Sequence, residues 1–392
     1  MKICILTPRF PFPENGGDVL RINNVCRYLK DKGHRLILIS YFEHNNIHGK
    51  CDSFEPLYDK IYYVKRRKAI SYINTVLALF FNKPLQIGYY FSFKFLSVLK
   101  KIIKTEQPDL YLSHLLRMAP YLNICHLQKK SIVEMTDMIS KMYDLTDKSS
   151  GMSLKKIIYK IERKRIKKYE LKTLDTYKKC VFVSEADIKF LNHKSAHVYA
   201  NGVRCLPDLQ TEYNKNKIVY VGNMRTLQNH DAVCFFIDEI FPVIKAAIPN
   251  AVFHIIGAEP PLRVQRMGDG KNIIVSGYVQ SVENEIKDAA VSVAPLRIAA
   301  GIQNKVLVSM ACSIPTVLTS CTAVGIPELV SDKNCIIADE KSDFAQAVIS
   351  LMQNEDMRNS IGKTGYDMVR VAYSWIEKLN GYDILPERNG GD

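Results

Sequence analysis

The sequence predicts an α/β protein built from two consecutive doubly wound domains, and three observations lead there. Short apolar runs such as "KICILT" and "HRLILIS" alternate with segments of helical spacing, which is the pattern of βαβ units around a parallel sheet. The pattern runs to about residue 200 and restarts at "KIVYVGN" (217–223). The length of 392 residues also exceeds what one hydrophobic core usually supports.

Taken in order, "KICILT" reads as a strand and "PRFPFPENGGD" as a Pro/Gly loop. "VLRINNVCRYLKDKG" then reads as a helix ending at Gly33, and "HRLILIS" as the next strand. "KIYYV", a long helical region from about 70 to 105, "DLYLSH", "SIVEMT" and "KCVFVS" continue the series, and "ANGV" (200–203) reads as a linker turn. After the restart come a helix through "HDAVCFFIDEIFPVIKAAIP", the strands "AVFHIIG" and "IIVSGYV", and a helix around 281–290. The strand "VSVAPL", a helix over 304–311, "IPTVLTS", "NCIIAD" and two terminal helices complete the chain. The expected division is 1–204, 205–372 and a last segment, 373–392, packing back toward the first domain.

Composition bounds the function. A hydrophobic share of 47% makes the chain globular, and a formal charge of +14 favours anionic partners such as phosphorylated small molecules, nucleic acid or an anionic membrane face. The ten cysteines form no C-x-x-C pair and no zinc spacing, so no metal site is expected. "MKICILTPRFPFP" is too short an apolar run, and too soon broken by prolines, for a signal peptide, which leads to the expectation of a cytoplasmic protein. No run reaches the ~20 apolar residues of a membrane span. The best, "ISYINTVLALFF" (70–81), reads as a buried helix or one touching a membrane surface.

In doubly wound sheets ligands bind at the carboxyl ends of the strands, so residues just after strands are the candidates. In "LRIAAGIQNK" the turn before helix 304–311 exposes backbone N–H groups to an anion, and Lys305 adds a point charge; the alternative is a solvated lysine on a first helical turn. Gly16 and Gly17 allow close approach to the backbone, or form a plain flexible turn. His114 ends "DLYLSH", where it exchanges a proton near neutral pH or serves the structure. Asp137 orients a hydroxyl or caps the next helix. Gly222 and Gly257 also follow strands. The segment 154–174 is the most basic: Leu154, Ile157, Ile158 and Ile161 share one helical face and lysines crowd the rest, suiting an anionic lipid surface or a solvated face. Nucleic acid is not expected as a partner, since no aromatic interleaving accompanies the charge.

The run "VYVGNM…FP…IPNAVFHIIGAEP…IIVSGYV…VSVAPLRIAAGIQNKVLVSMACSIPTVLT…GIPELVSDKN" resembles the GT-B glycosyltransferases of the family 4 type, the bacterial sugar transferases that build surface polysaccharides such as capsule and lipopolysaccharide. "PENGGDVLRINNVCRYLKDKGHRLILIS" and "FVSEADIKFL…HVYANGV" are similar to the first domain of that family and to its passage into the second. The resemblance implies two facing Rossmann-like domains with a cleft between them. The second would bind a nucleotide-diphosphate sugar and the first the acceptor, a lipid-linked glycan or oligosaccharide, with a retaining, metal-independent transfer. It needs no cofactor beyond that donor and implies a protein peripheral on the inner face of the cytoplasmic membrane.

The resemblance further implies that Gly301, Ile302, Asn304 and Lys305 surround the donor diphosphate, that Gly17 and Arg21 stand beside it, and that His114 lies near the reacting sugar. Arg225 follows a strand where many members carry a phosphate-binding arginine, at a different spacing from Gly222. Many members also carry E-x7-E across the Lys305 segment. The matching positions are Ala300 and Val308, and the missing ribose contact costs ~1.5–3 kcal/mol. Ser309 and Glu328 are the candidate substitutes. Two rival readings follow: a non-catalytic glycosyltransferase-like subunit of a membrane assembly, and a nucleotide-sugar epimerase of the same fold.

Overall fold

The computed structural model describes residues 1–14, 17–42, 57–140, 154–185, 188, 191–206, 213–299 and 302–385; within 154–160 only the backbone is described. The chain divides into two compact units, Met1–Asn201 with Leu379–Asp392, and Gly202–Lys378.

In the first unit β1 (Lys2–Thr7), β2 (Arg35–Phe42), β3 (Lys60–Lys65), β4 (Leu110–His114), β5 (Ser131–Thr136), β6 (Lys179–Phe182) and β7 (Ala196–Val198) form one parallel sheet in the order β3-β2-β1-β4-β5-β6-β7. Strands covered on both faces need apolar residues at every position, and β1 and β4 are buried almost throughout. Helix α1 (Gly17–Asp31) stops where Gly33 takes a φ of +79°, with Gly33 N–H donating to the Lys30 carbonyl and His34 N–H to that of Leu29.

The helical region expected from about 70 to 105 is made of three helices, α2 (Lys68–Phe80), α3 (Leu85–Tyr89) and α4 (Phe93–Glu106). The break falls at Pro84, which pushes its predecessor out of helical geometry and starts α3 as its cap.

Helix α5 (Leu154–Thr176) carries the basic segment; of the expected apolar face, the side chains of Leu154, Ile157 and Ile158 lie outside the described residues. Ile161 is exposed, whereas Glu162, Ile166, Glu170, Thr173 and Leu174 are buried. Two glutamates point inward because each accepts a backbone N–H: Glu162 Oε1 from Leu85 at the start of α3, at 2.5 Å, and Glu170 Oε1 from Ser140 at 3.2 Å.

The last described residues belong to the first unit and are clasped by Lys179, itself only 2% exposed. Its ammonium lies within 2.9 Å of the Gly381, Tyr382 and Ile384 carbonyls and of Tyr199 Oη. Burial brings that ammonium down to about 8 against the upward pull of Asp383.

In the second unit β8 (Asn214–Val221), β9 (Val252–Ile256), β10 (Ile273–Gly277), β11 (Ala289–Ala294), β12 (Thr316–Leu318) and β13 (Ile336–Ile337) pair in the order β10-β9-β8-β11-β12-β13, again all parallel. The helix expected over 281–290 spans only Val282–Ile286, because Ala289 and Ala290, good helix formers by propensity, open the fully buried β11. Helix α6 (Leu227–Phe235) continues through a π turn, Phe236–Ile240, into a helical segment that begins one residue before Pro242. Helix α7 (Asn304–Ala311) follows β11, and α8 (Glu355–Ala372) packs on α7.

In each sheet the strand order reverses beside its first strand, between β1 and β4 and between β8 and β11. The crevice outside the carboxyl ends there is where such sheets take ligands.

Replacing Lys179 with Met leaves three carbonyls without their charged donor. The expected outcome is a loss of about 2–3 kcal/mol in urea unfolding, together with proteolysis after residue 378. Unchanged stability and protection would contradict the clasp.

Candidate functional site

At the first unit's switch point β1 and β4 end at Thr7 and His114, one residue past the Leu6–Ser113 register pair. Beside His114 in the register lies Glu134 of β5, with no exposed surface. Its Oε2 faces His114 Nδ1 at 2.7 Å, and its Oε1 accepts from Arg21 Nε at 2.8 Å and from Tyr382 O–H at 3.3 Å. Arg21, from α1, also donates through Nη1 to Asn201 Oδ1 at 2.8 Å. Burial pushes the Glu134 carboxyl up, but the charges and hydrogen bonds of Arg21 and His114 outweigh it, and the group titrates at about 2.

This pairing assigns the proton of His114 to Nδ1, where the carboxylate accepts it, and turns Nε2 toward the strand end. His114 Nε2, Arg21 Nη2 and Thr7 Oγ1 are all buried and have no partner among the described residues. Three such groups at one strand edge suit the hydroxyls of a sugar, since a buried polar atom left unmet costs about 1–3 kcal/mol.

An added anion fits this edge less well. The first turn of α1 already holds the Asp18 carboxylate, which pairs with Arg9; burial raises its pKa, and the Arg9 hydrogen bond and charge, helped by His114, bring it below the ordinary value. Gly17 starts α1 with open space around its Cβ position, and Gly16 lies outside the described residues. Asp137 is exposed, three residues beyond Glu134, whose carboxylate is the one on His114. The lone acid in the apolar run "SIVEMT" was the sequence signal for it.

At the second unit's switch point Lys305 stands in the first turn of α7. Its Nζ donates to Asn229 Oδ1 and, at 3.2 Å, to Tyr220 Oη, and lies 5.2 Å from the Tyr220 ring centre. Asn229 is held in turn: its Oδ1 accepts from Tyr220 O–H at 2.8 Å and its Nδ2 donates to the Asn223 carbonyl at 2.8 Å. Every contact of the ammonium is with a neutral oxygen or an aromatic face, and no carboxylate pairs with it among the described residues. Burial brings it down to about 8. A half-buried ammonium with no counter-charge, at a helix start on a strand edge, is a site for an anion.

Ile302 and Asn304 are exposed beside it, and Gly301 and Ala300 lie outside the described residues. Gly222 and Gly257 serve the fold directly: a Cβ on Gly257 would fall 1.7 Å from the Gly222 carbonyl oxygen, and one on Gly222 would fall 2.9 Å from the Asn229 side chain. At Gly257 backbone meets backbone, and at Gly222 the backbone meets the Asn229 and Tyr220 side chains. Arg225, on the loop between β8 and α6, is exposed and forms an ion pair with Glu259. Such surface pairs hold weakly, so the guanidinium remains available to a phosphate.

The expected substitutes for the ribose carboxylate are committed elsewhere. Ser309 is fully buried, with its hydroxyl 2.8 Å from Ser292 Oγ and 3.1 Å from the Lys305 carbonyl, so it ties α7 to β11. Glu328 accepts the Tyr373 hydroxyl at the end of α8. Val308 packs partly buried between two apolar clusters.

Glu134 makes acid stability of the first unit a direct readout. Its folded pKa of about 2 lies below the ordinary 4.5, so the native state holds fewer protons between those values. The stabilisation is present above about 4.5 and is lost as pH falls toward 2, on the order of 3 kcal/mol. Glu134→Gln is expected to remove that acid-dependent arm and, by leaving Arg21 buried without its counter-charge, to cost about 3–5 kcal/mol at neutral pH. Denaturant midpoints measured from pH 2 to 7 check both; parallel curves for the two proteins would refute the assignment.

Residues 215–354 match a family model described as "Glycosyl transferases group 1", and no curated protein matches the chain. Among solved structures the chain is similar to S. aureus TarM, crystallised with UDP, fondaparinux and alpha-GlcNAc-glycerol, at 11% identity over 97% of this chain and 98% of that one, with a TM-score of 0.62. Anabaena HepE in complex with UDP matches at 10% identity over 97% and 98%, with a TM-score of 0.56. The lipopolysaccharide outer core galactosyltransferase WaaB matches at 12% over 97% and 98%, with a TM-score of 0.54. At such identities the likeness establishes the fold alone. The chain has the GT-B fold, and the part of it that matches the group 1 glycosyl transferase model lies in its second unit.

Proposed function

We propose that the protein is a retaining glycosyltransferase of the family 4 type that moves a sugar from a nucleotide-diphosphate sugar to a lipid-linked glycan acceptor during surface polysaccharide synthesis. The observation that carries this reading is Lys305, an ammonium held only by Tyr220 and Asn229 at the β8/β11 switch point. The UDP complexes of TarM and HepE support the class of donor, and the glycan ligands of TarM and the activity of WaaB support the class of acceptor.

In this reading the bond between the sugar's anomeric carbon and the diphosphate oxygen breaks, and the charge gathering on the leaving diphosphate is met by Lys305 and the start of α7, with no metal ion. The acceptor hydroxyl forms the new bond on the face the diphosphate leaves, which preserves the anomeric configuration, and its proton passes to the departing phosphate. His114 Nε2, positioned by Glu134, takes a hydrogen bond from a sugar hydroxyl.

A second reading is favoured by one set of observations: Val308 is apolar and partly buried, and the Ser309 hydroxyl is buried against Ser292 and the Lys305 carbonyl, so neither is placed as a ribose acceptor. A subunit that binds a glycan or a membrane assembly without turnover fits them.

Calorimetric titration with UDP, GDP, ADP and their sugars separates the two. Binding of one nucleotide is expected, weakened about 10-fold or more in Lys305→Ala, as follows from a charged hydrogen bond of ~1.5–3 kcal/mol. The variant should fold, since Tyr220 still donates to Asn229. Because the Lys305 ammonium titrates at about 8 and its charged form attracts the diphosphate, affinity should fall as pH rises from 7.5 to 9.5, and Lys305→Ala should lack that dependence. Failure of every nucleotide to bind would leave the non-catalytic reading.

A further inference from the structure

Helix α2 is turned inside out. The residues it buries are Ser71 and Ala78, with Asn74 and Thr75 half-buried between them. Its large apolar residues face outward: Ile70, Tyr72, Ile73, Val76, Leu77 and Phe80 are 44% to 80% exposed. The inward face is small because α3 crosses at contact distance. A Cβ on Gly88 would fall 2.5 Å from the Asn74 carbonyl oxygen and 2.7 Å from Ala78 Cβ, and Asn74 Nδ2 donates to the Phe91 carbonyl at 2.9 Å. A seam of small residues fixes the helix and leaves no inner room for its large side chains, and a contiguous outer patch of this kind marks an interaction surface.

The surroundings identify what it meets. Between Lys60 and Thr105 the sequence contains no Asp or Glu. On one side of α2 a cavity of about 310 Å³ is lined by Lys65, Arg66, Arg67 and Lys94, with no carboxylate in its wall. On the other, an apolar groove of about 410 Å³, walled by Leu77, Phe81, Phe93 and Ile124, opens beside Lys83 and Lys172. Lys172 belongs to α5, whose exposed Lys164, Lys167 and Lys168 line the adjoining surface, and α5 is tied to the end of α2 by Arg165 Nε donating to Asn82 Oδ1 at 3.1 Å.

We infer that α2 lies flat on an anionic lipid bilayer, its outer residues inserted among the acyl chains and the basic groups on either side in contact with lipid phosphates. An apolar protein partner satisfies the helix but not the basic rim, in which Asp175 at the far end of α5 is outnumbered by Lys164, Lys167, Lys168 and Lys172, whereas an anionic bilayer satisfies both. The basic helix α5 thus contributes charge, and α2 contributes the insertion that salt does not screen. No helix of the described residues is long and apolar enough to cross a membrane, so the contact is with a surface. The inference deepens the lipid-linked part of the function proposed above.

Co-sedimentation of the full chain with vesicles of phosphatidylglycerol and phosphatidylethanolamine, against phosphatidylcholine alone, tests it. The wild-type protein is expected to bind the anionic vesicles and to keep a residual fraction at high salt. Ile73→Glu with Phe80→Glu should lower binding at least 10-fold, and Lys83→Glu with Lys94→Glu should lower binding at low salt only. Both positions of the first pair are exposed, so the variant should fold, and its nucleotide titration should match wild type. That separates a failed membrane contact from a failed donor site. Absence of binding by the wild type, binding unchanged by Ile73→Glu with Phe80→Glu, or a wild-type dimer in solution that this variant converts to monomer would each overturn the inference, the last by showing a second copy to be the cover.

Discussion

A carboxylate with no exposed surface must be neutralised where it stands, and the first unit is organised around the one at Glu134. It sits on β5, holds the imidazole at the end of β4, the guanidinium of α1 and the hydroxyl of Tyr382. Through Arg21 it also reaches Asn201. Four segments distant in sequence therefore converge on a single charge, and any of them misplaced leaves an ion buried alone. Lys179, on the neighbouring strand β6, is held differently, by the neutral carbonyls that follow Leu379 and by the Tyr199 hydroxyl.

The second unit does the reverse at the equivalent place. Lys305 is half-buried and steered by Tyr220 and Asn229, yet nothing in its contacts cancels its charge. Compensated charge at β1/β4 and uncompensated charge at β8/β11 divide the work expected of a glycosyl transfer: hydroxyls at the first edge, a diphosphate at the second. The same asymmetry bears on Arg21, whose expected place was beside the diphosphate. Its Nε and Nη1 are committed to Glu134 and Asn201, and the helix start beside it carries Asp18.

Much of the fold was legible because parallel strands buried on both faces write themselves as unbroken apolar runs, and because Gly33 ends α1 through its left-handed backbone; the break at Pro84 was in the sequence as well but was read through. Ala289 and Ala290 misled because their helix propensity is weak beside the burial of β11. Lys305 was legible as a charge at a helix start, whereas Asn229, 76 residues earlier, was not, since only the sheet brings them together. Ser309 and Glu328 show the converse limit: their chemistry suited a ribose, but which way a side chain points depends on neighbours such as Ser292 and Tyr373. For α2 the apolar run was plain, but the seam with Gly88 decides which face is outside.

Hydrogen exchange on the full chain, with and without the nucleoside diphosphate that titration selects, tests the central claim most directly, since exchange reports local protection segment by segment. The account predicts slowed exchange in 220–230 and 302–311, with 7–24 and 110–118 unchanged. Protection confined to 7–24 and 110–118, with none around Lys305, would contradict it by placing the anion on the edge whose charges are already matched.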